Sequence, residues 1–304
     1  GRLIGLAPLV VGRGEGPRRH LRFLTFLGAL GDSLSEYLDF IVHPDAEDDV
    51  LPELWRIMST QIDGWDVLRL PLVPVTSATP GALRAQPGRE AARLRQSNEH
   101  VSPLIRLDRD WDAYLQARSK NFRKAFKQAW NRAHRKHDVT VLHGGTDISV
   151  DAAMDRLITL NRERWGDAGL AFHTDEFCAF HRQLAPKLHD RGELSLMILQ
   201  LDGEDAAIRY DFVYADRLWV FQGGWSPELS KLAPGRILTA YSVQWCLENG
   251  VREYDFLAGD ADYKRAWATD ARHLVDLELS HPGSLRAKAY TSLRAAKRLL
   301  RPAR

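Results

Sequence analysis

The stretch Gly223-Gly224-Trp225-Ser226-Pro227-Glu228-Leu229-Ser230-Lys231-Leu232-Ala233-Pro234-Gly235-Arg236-Ile237-Leu238 separates two apolar runs and decides how the chain is read. Before it, residues 217–222 carry a strand pattern. After it, 235–249 carry a helical pattern that stops at Gly250, and 251–257 return as a strand. Strand, Gly-containing loop, helix and strand form the unit of a mixed α/β sheet. A helix start leaves backbone N–H groups unpaired and carries partial positive charge. Gly235 lets an anion approach that backbone, and Arg236 and Lys231 add cations. The same residues also fit an ordinary strand-to-helix turn with a Pro-Gly breaker. No Gly-Lys-Ser/Thr follows, and the glycines do not form Gly-x-Gly-x-x-Gly.

Working upstream, close strands are expected over 194–201 and 206–214, joined by the turns Asp202-Gly203-Glu204-Asp205 and Ala215-Asp216. A helix over 151–165 should turn Met154, Leu157, Ile158 and Trp165 inward. A helix over 175–190 should do the same with Phe177, Phe180, Leu184 and Leu188. The first half repeats the order of the second: strand 21–28, helix 45–61, strand 65–70. Two copies of such a unit fit 304 residues at about 100–200 residues per domain. The expected organisation is an N-terminal unit over 1–97, a C-terminal unit over 98–280 and a basic tail over 281–304. Residues 71–90, with Pro71, Pro74, Pro80 and Pro87, read as a linker or irregular loop. Gly1-Arg2 and the residues after it read like the second half of a hairpin, so the first unit is expected to be incomplete at its N-terminus.

Charged residues make up 27% of the chain and hydrophobic residues 44%, which excludes a disordered chain, a fibre and a coiled coil. The 42 basic and 40 acidic residues nearly cancel, but they are segregated. Residues 117–137 hold Arg118, Lys120, Arg123, Lys124, Lys127, Arg132, Arg135 and Lys136, and no acid. The tail holds Arg286, Lys288, Arg294, Lys297, Arg298, Arg301 and Arg304, again without an acid. Either segment can face an anionic partner such as RNA or a charged surface, or can be a solvated helix face. In 117–137, Phe122, Phe126, Ala129 and Ala133 share one helical face, so this helix should bury them and expose its cations. No stretch approaches the ~18–20 apolar residues of a membrane span. Two cysteines, Cys178 and Cys246, cannot build a disulfide framework, and a reducing, cytoplasmic setting is expected. The histidines lack metal-ligand spacing, so no metal is expected.

A second run, Tyr254-Asp255-Phe256-Leu257-Ala258-Gly259-Asp260-Ala261-Asp262-Tyr263-Lys264-Arg265-Ala266-Trp267, brings carboxylate, phenol and amine together after a strand. Asp255 and Asp260 can serve as bases, Tyr263 as an acid and Lys264 as an anion clamp. The alternative is a capped turn in which Tyr263 and Trp267 pack as an i, i+4 aromatic pair.

Pro234-Gly235-Arg236-Ile237-Leu238 followed by Asp255-Phe256-x-x-Gly259-Asp260-x-x-Tyr263-Lys264-x-x-Trp267 resembles the CelD/BcsL-type acetyltransferases. These belong to the GCN5-related N-acetyltransferase (GNAT) superfamily and are similar to the FemAB-like peptidyltransferases. The resemblance is clearest over roughly 100–280, where Phe180-His181, Leu201-Asp202-Gly203 and Phe221-Gln222-Gly223-Gly224 also fall in order. It implies two tandem GNAT-like units, each a twisted mixed sheet flanked by helices, the first a degenerate companion. It implies acetyl-CoA or another acyl-CoA as co-substrate, lying between the strands 217–224 and 251–257. The thioester would meet backbone N–H groups near Gln222, Gly223 and Gly224. The pyrophosphate would sit at 231–236, on Lys231, Pro234, Gly235 and Arg236. An amine of a small molecule, saccharide or cell-envelope precursor would attack directly. The superfamily's Gln/Arg-x-x-Gly-x-Gly/Ala signature is kept only at Gly235, with Leu232 and Ile237 at the flanking positions. The FemAB-like branch shares this divergence and can take its acyl group from aminoacyl-tRNA, in which case 117–137 would bind the RNA backbone. A third reading is a binding module that kept the fold without catalysis.

Overall fold

The computed structural model describes residues 1–14, 16–29, 35–85, 94–166 and 171–299. Two compact units form, one from 1–101 with 272–304 and the other from 102–271.

In the first unit, β1 (Gly5–Leu6) pairs with β4 (Ile41–Val42). β2 (Leu9–Arg13) and β3 (Arg22–Phe26) form an antiparallel hairpin, with Arg13 opposite Arg22 at its mouth. α1 (Glu47–Thr60) then crosses over to β5 (Val67–Pro74), which runs parallel to β3. β5 pairs antiparallel with β12 (Asp270–Ser280). Trp55, Met58, Trp65, Leu68, Leu70 and Val275 fill one core. Val67 packs on the other face with Leu21, Phe23 and Ala287 of α9 (Leu285–Leu299), as strand alternation requires.

The segment 71–90 is not a simple linker. Residues through Pro74 complete β5, and α2 (Ala78–Arg84) follows. Pro71 falls at a bulge between the Leu70–Leu277 and Val73–Val275 pairs, where a missing N–H costs no ladder bond. The next amide, Leu72, donates to the Asp276 carboxylate at 3.1 Å. Pro80 lies in the first turn of α2, which tolerates it, and Ser77 caps that turn by accepting the Thr79 N–H at 3.0 Å. Pro87, Arg301 and Arg304 lie outside the described residues, as do the side chains of Arg294, Lys297 and Arg298.

In the second unit, the last residues of β6 (Arg95–Arg106) pair antiparallel with β11 (Glu253–Asp255). β11 is parallel to β10 (Arg217–Trp225). From β10 the sheet continues antiparallel through β9 (Glu204–Tyr214), β8 (Leu194–Leu201) and β7 (Val139–His143). α7 (Pro234–Glu248) makes the crossover from β10 to β11. The order β9-β10-α7-β11 thus repeats β2-β3-α1-β5. The fold is a mixed α/β fold, with mixed sheet flanked by helices.

Helices cover both faces of this second sheet. Met197, Leu199 and Leu201 pack with Ile237 and Leu238 of α7. Leu196 points the other way, toward Ala153 of α5 (Val150–Trp165). Phe122, Phe126, Ala129 and Ala133 of α4 (Lys120–Lys136) are buried, and Arg123, Lys124, Lys127, Arg135 and Lys136 are exposed, as the spacing requires. Two expectations fail. Trp165 at the end of α5 is 45% exposed, and Phe180 of α6 (Asp175–Asp190) is 60% exposed. The inward face of α6 is instead Cys178, His181 and Ala185. Small side chains there let the helix approach the sheet, and His181 finds a polar partner in Tyr210.

Candidate active site

β10 and β11 pair over three residues only, Arg217–Trp219 with Glu253–Asp255, and β10 then runs on to Trp225 without β11. A bulge between Trp219 and Gln222 accompanies the parting of the strands. The Phe221 N–H inside that bulge donates to Asp211 of β9 at 3.3 Å. Gln222, Gly223 and Gly224 follow. A Cβ on Gly223 would lie 2.6 Å from the Ile208 carbonyl oxygen, and one on Gly224 would lie 2.5 Å from the Leu160 carbonyl carbon. Both glycines are therefore set by close backbone approach, of β9 on one side and α5 on the other. The Asn161 side chain of α5 donates an Nδ2–H hydrogen bond to the Gly223 carbonyl at 2.9 Å.

Beyond β10, a 3-10 turn over Pro227–Leu232 leads to Ala233, held in the left-handed region (φ 55°). Pro234 then opens α7, where its missing N–H is harmless. No side chain caps this helix start, and its first turn holds no acid. A Cβ at Gly235 would touch only Trp225 Cδ1, at 3.7 Å, so the backbone here is open. Lys231 is exposed and Arg236 half-buried. Arg132 of α4 donates to the Lys231 carbonyl at 2.8 Å and brings a third cation to the loop.

A buried polar chain links the bulge to the helix start. Arg209 donates to Asp211 at 2.8 Å and to Thr239 Oγ1 at 3.3 Å, and Thr239 donates to the Gly235 carbonyl at 2.8 Å. The Arg209 guanidinium also lies over the Tyr254 ring, 5.5 Å from its centroid. Burial pushes the Asp211 carboxyl up, and the guanidinium beside it pulls it back. One ion pair thus holds together the two places where a donor substrate would be gripped.

The turn after β11 places the other expected residues. Asp255 is fully buried and accepts from Ser102 Oγ and the Leu257 N–H, each at 2.8 Å. Lys264 donates to the Leu257 and Ala258 carbonyls at 3.2 and 2.8 Å, closing the turn. Asp260 is exposed and pairs with Arg265. Tyr263, on α8 (Asp262–Trp267), is 54% exposed, with its ring edge toward Phe256. Trp267 is buried instead, edge-on to Phe122 at 5.0 Å, and its carbonyl accepts the hydroxyl of Tyr114 on α3 (Trp111–Gln116) at 2.6 Å. The i, i+4 aromatic pair is therefore not what holds this segment. Trp267 anchors α8 and leaves Tyr263 facing outward.

Arg164 escaped the sequence reading, and His181 entered it without a structural role. The Arg164 guanidinium, at the end of α5, sits 4.3 Å from the Trp165 ring centroid and 5.3 Å from that of Trp225. Among the described residues no carboxylate pairs with it. Burial lowers its pKa, the nearby Tyr263 opposes this, and the Arg209 charge adds to the lowering. Exposed Trp165 is thus one face of a cation sandwich beside Tyr263. His181 is buried among Phe172, Phe177 and Phe221, 3.2 Å from the Tyr210 hydroxyl, and burial lowers its pKa to about 4. Cys246 is fully buried with its thiol pushed up, a packed group and not a nucleophile. Among the described residues, no group of side chains could hold a metal ion, and no helix is long and apolar enough to cross a membrane.

No curated protein matches the chain significantly. Among solved structures, the chain is similar to FemX, at 13% identity over 91% of this chain and 85% of that one, with a TM-score of 0.61. It is similar to L-PGS from Bacillus licheniformis, at 13% identity over 90% and 82%, with a TM-score of 0.56. A tandem GNAT protein from the clavulanic acid biosynthesis pathway matches at 14% identity over 93% and 81%, with a TM-score of 0.50. At such identities these likenesses concern the fold. Residues 120–265 match the family model described as "Acetyltransferase (GNAT) domain", and so the second unit carries a GNAT-type acetyltransferase domain.

Proposed function

We propose that the chain is an acyl-CoA-dependent N-acyltransferase of the CelD/BcsL type, working in the cytoplasm. It would pass an acetyl or longer acyl group to an amine of a small molecule, saccharide or cell-envelope precursor. The observation that carries this reading is the uncapped, acid-free start of α7 beside the parting of β10 and β11. Oriented N–H groups with Lys231, Arg236 and Arg132 around them suit a pyrophosphate. The open backbone at Gly235 fits its approach.

When bound, the co-substrate supplies an activated acyl carbonyl. The backbone of Gln222, Gly223 and Gly224 offers N–H groups to the oxygen of that carbonyl as negative charge grows on it. Attack needs a neutral amine, and the departing thiolate needs a proton. Tyr263, with its exposed side chain, would give that proton. Asp260, exposed beside Arg265, would take the amine's proton through water. Asp255 and Lys264 hold the turn from which both project. Arg164 joins Lys264 as a cation for an anionic acceptor, and its charge favours the neutral form of an amine close by.

Calorimetric titration with acetyl-CoA, a long-chain acyl-CoA and tRNA tests the reading. Gly235→Val should remain folded, since the space is open, and should weaken acyl-CoA binding by crowding the phosphates. Unchanged affinity in that variant would sink the reading. Absence of heat with all three ligands would favour a non-catalytic module. The exposed cationic face of α4 supports a second reading, transfer from aminoacyl-tRNA. That reading requires tRNA affinity to fall linearly with log salt and to vanish on charge reversal at Arg123, Lys124 and Lys127.

A further inference from the structure

A cavity of about 390 Å³ in the first unit is lined by Arg13, Arg19, His20, Arg22 and Arg286. No acid lines it. Four arginines converge there from three pieces of chain: the facing ends of β2 and β3, the loop between them, and the first turn of α9. Arg13 and Arg22 stand directly opposite each other in the hairpin. Like charges in that position repel and weaken the sheet. Among the described residues, none of the four guanidinium groups has a carboxylate partner. The one bond that appears is from Arg22 Nη1 to the Gly64 carbonyl, at 3.3 Å.

Hydrogen bonds and packing hold the cavity's lining residues in place. Gly14 donates to the Leu21 carbonyl at 3.0 Å, and a Cβ at Gly14 would lie 2.4 Å from the Arg18 carbonyl oxygen, so Gly14 lies close against the Arg18 backbone. Arg18, the remaining loop arginine, is turned away and pairs with Glu278 of β12 at 3.5 Å. Buried Asp66 accepts the Arg22 N–H at 2.9 Å and the Ser284 hydroxyl at 2.6 Å. Ser284 in turn accepts the Ala287 N–H at 3.1 Å and caps α9. Ala287, fully buried against Leu21, Phe23 and Val67, locks the helix to the strands. Asp66 thus ties Arg22 to the turn that presents Arg286.

We infer that this cavity is a binding site for a phosphorylated ligand, taken by a phosphomonoester or diphosphate group. Planar guanidinium forks match phosphate oxygens two at a time, and a phosphate brings the negative charge that relieves the repulsion among these arginines. The volume admits a diphosphate and lies within the range of small-molecule sites. The group can come from a soluble phosphorylated compound or from a phospholipid headgroup. The site is independent of the acyl-CoA reading, because it uses no residue of the second unit.

Calorimetry with inorganic pyrophosphate at low salt reads the site directly. The Arg13→Ala/Arg19→Ala double variant removes two exposed side chains, and Arg286→Ala offers a separate route if the pair fails to fold. Either should weaken one pyrophosphate site by about tenfold or more, the scale of lost charge-assisted hydrogen bonds. Gly235→Val should leave that site intact, which separates it from any pyrophosphate bound at α7. Sedimentation with phosphatidic acid vesicles, against phosphatidylcholine vesicles, names the source. Variant-sensitive vesicle binding identifies a headgroup, and variant-sensitive pyrophosphate binding without it identifies a soluble compound. Equal pyrophosphate affinity in wild type and both folded variants overturns the inference. So does an equal loss on Lys124→Ala/Lys127→Ala in α4, since that would mark general charge attraction.

Discussion

α1 and α7 hold the same place in the two units, each crossing between parallel strands, yet their first turns are electrostatic opposites. α1 begins with Glu47, Asp48 and Asp49. α7 begins with Pro234, Gly235 and Arg236, and no acid. Three carboxylates satisfy the positive end of α1 and repel any phosphate. The bare end of α7 leaves the same positive field free for a ligand. The strands before them differ too. β3 pairs regularly with β2, whereas β10 carries a bulge tied to a buried Arg209–Asp211 pair. A repeated fold therefore does not repeat a site. Charge at one helix turn and a bulge in one strand separate a scaffold from a candidate active centre.

The comparison breaks most visibly at the chemistry. Only the second unit follows its crossover with a turn carrying Asp260, Tyr263 and Lys264. Tyr263→Phe keeps the ring and removes the hydroxyl. Turnover, read as thiol release from acetyl-CoA with a primary-amine acceptor, should fall by about 10²–10⁴. Cofactor affinity should stay near wild type. Full turnover in the variant would leave Tyr263 without a chemical role and return proton delivery to solvent.

The duplicated crossover was legible because it is local: strand, loop, helix and strand follow one another, with Gly and Pro at the breaks. The buried face of α4 was legible for the same reason, from Phe122, Phe126, Ala129 and Ala133. What was hidden depends on distant partners. Arg164 reads as one more charge on a solvated helix until Trp225, far along the chain, closes over it. Trp165 and Phe180 were expected inside because their spacing set them on the apolar helical faces, but α6 turns Cys178, His181 and Ala185 inward instead and α5 leaves Trp165 at its exposed end. α2 was obscured by the density of prolines around it, although Ser77 and Pro80 are ordinary signs of a helix start. β12 reads as a strand from its own residues, but nothing local says that it pairs with β5.

Acid sharpens the contrast between the units. His181 lies in the second unit, neutral and buried, with a folded pKa of about 4 against an ordinary 6.5. The unfolded chain binds the extra proton first as pH falls below 6.5. Stability is therefore full above that value and drops as pH falls toward 4, by up to about 3 kcal/mol. Urea unfolding of wild type and His181→Gln between pH 7 and 4 measures the difference. The variant should lose this part of the slope, and hydrogen exchange in wild type should rise first around 171–221. An identical slope in both proteins would mean that His181 is not the titrating group.

A charge swap tests the two helix starts directly. Arg236→Glu gives α7 an acid in its first turn, as α1 has. Acyl-CoA affinity should fall about tenfold to a hundredfold, from one lost charge-assisted bond and added repulsion. Thermal stability should hold or rise slightly, because the acid suits the helix dipole. Weaker binding without loss of stability is the signature expected of a ligand site. Reduced stability with unchanged binding would make Arg236 a structural residue.

The reverse change should have the smallest effect. Asp48 and Asp49 are exposed in the first turn of α1, where their charges interact favourably with the helix end. Asp48→Asn and Asp49→Asn should each lower stability by about 0.3–1 kcal/mol at low salt. The loss should shrink as added salt screens the exposed charges. Urea midpoints at two salt concentrations measure it. The double variant should still bind no acyl-CoA at α1, since removing acids supplies neither an open glycine nor neighbouring cations. If acyl-CoA binding appeared in the first unit of that variant, the acids alone would separate the two units. The glycine, the bulge and the buried ion pair of the second would then be secondary to charge.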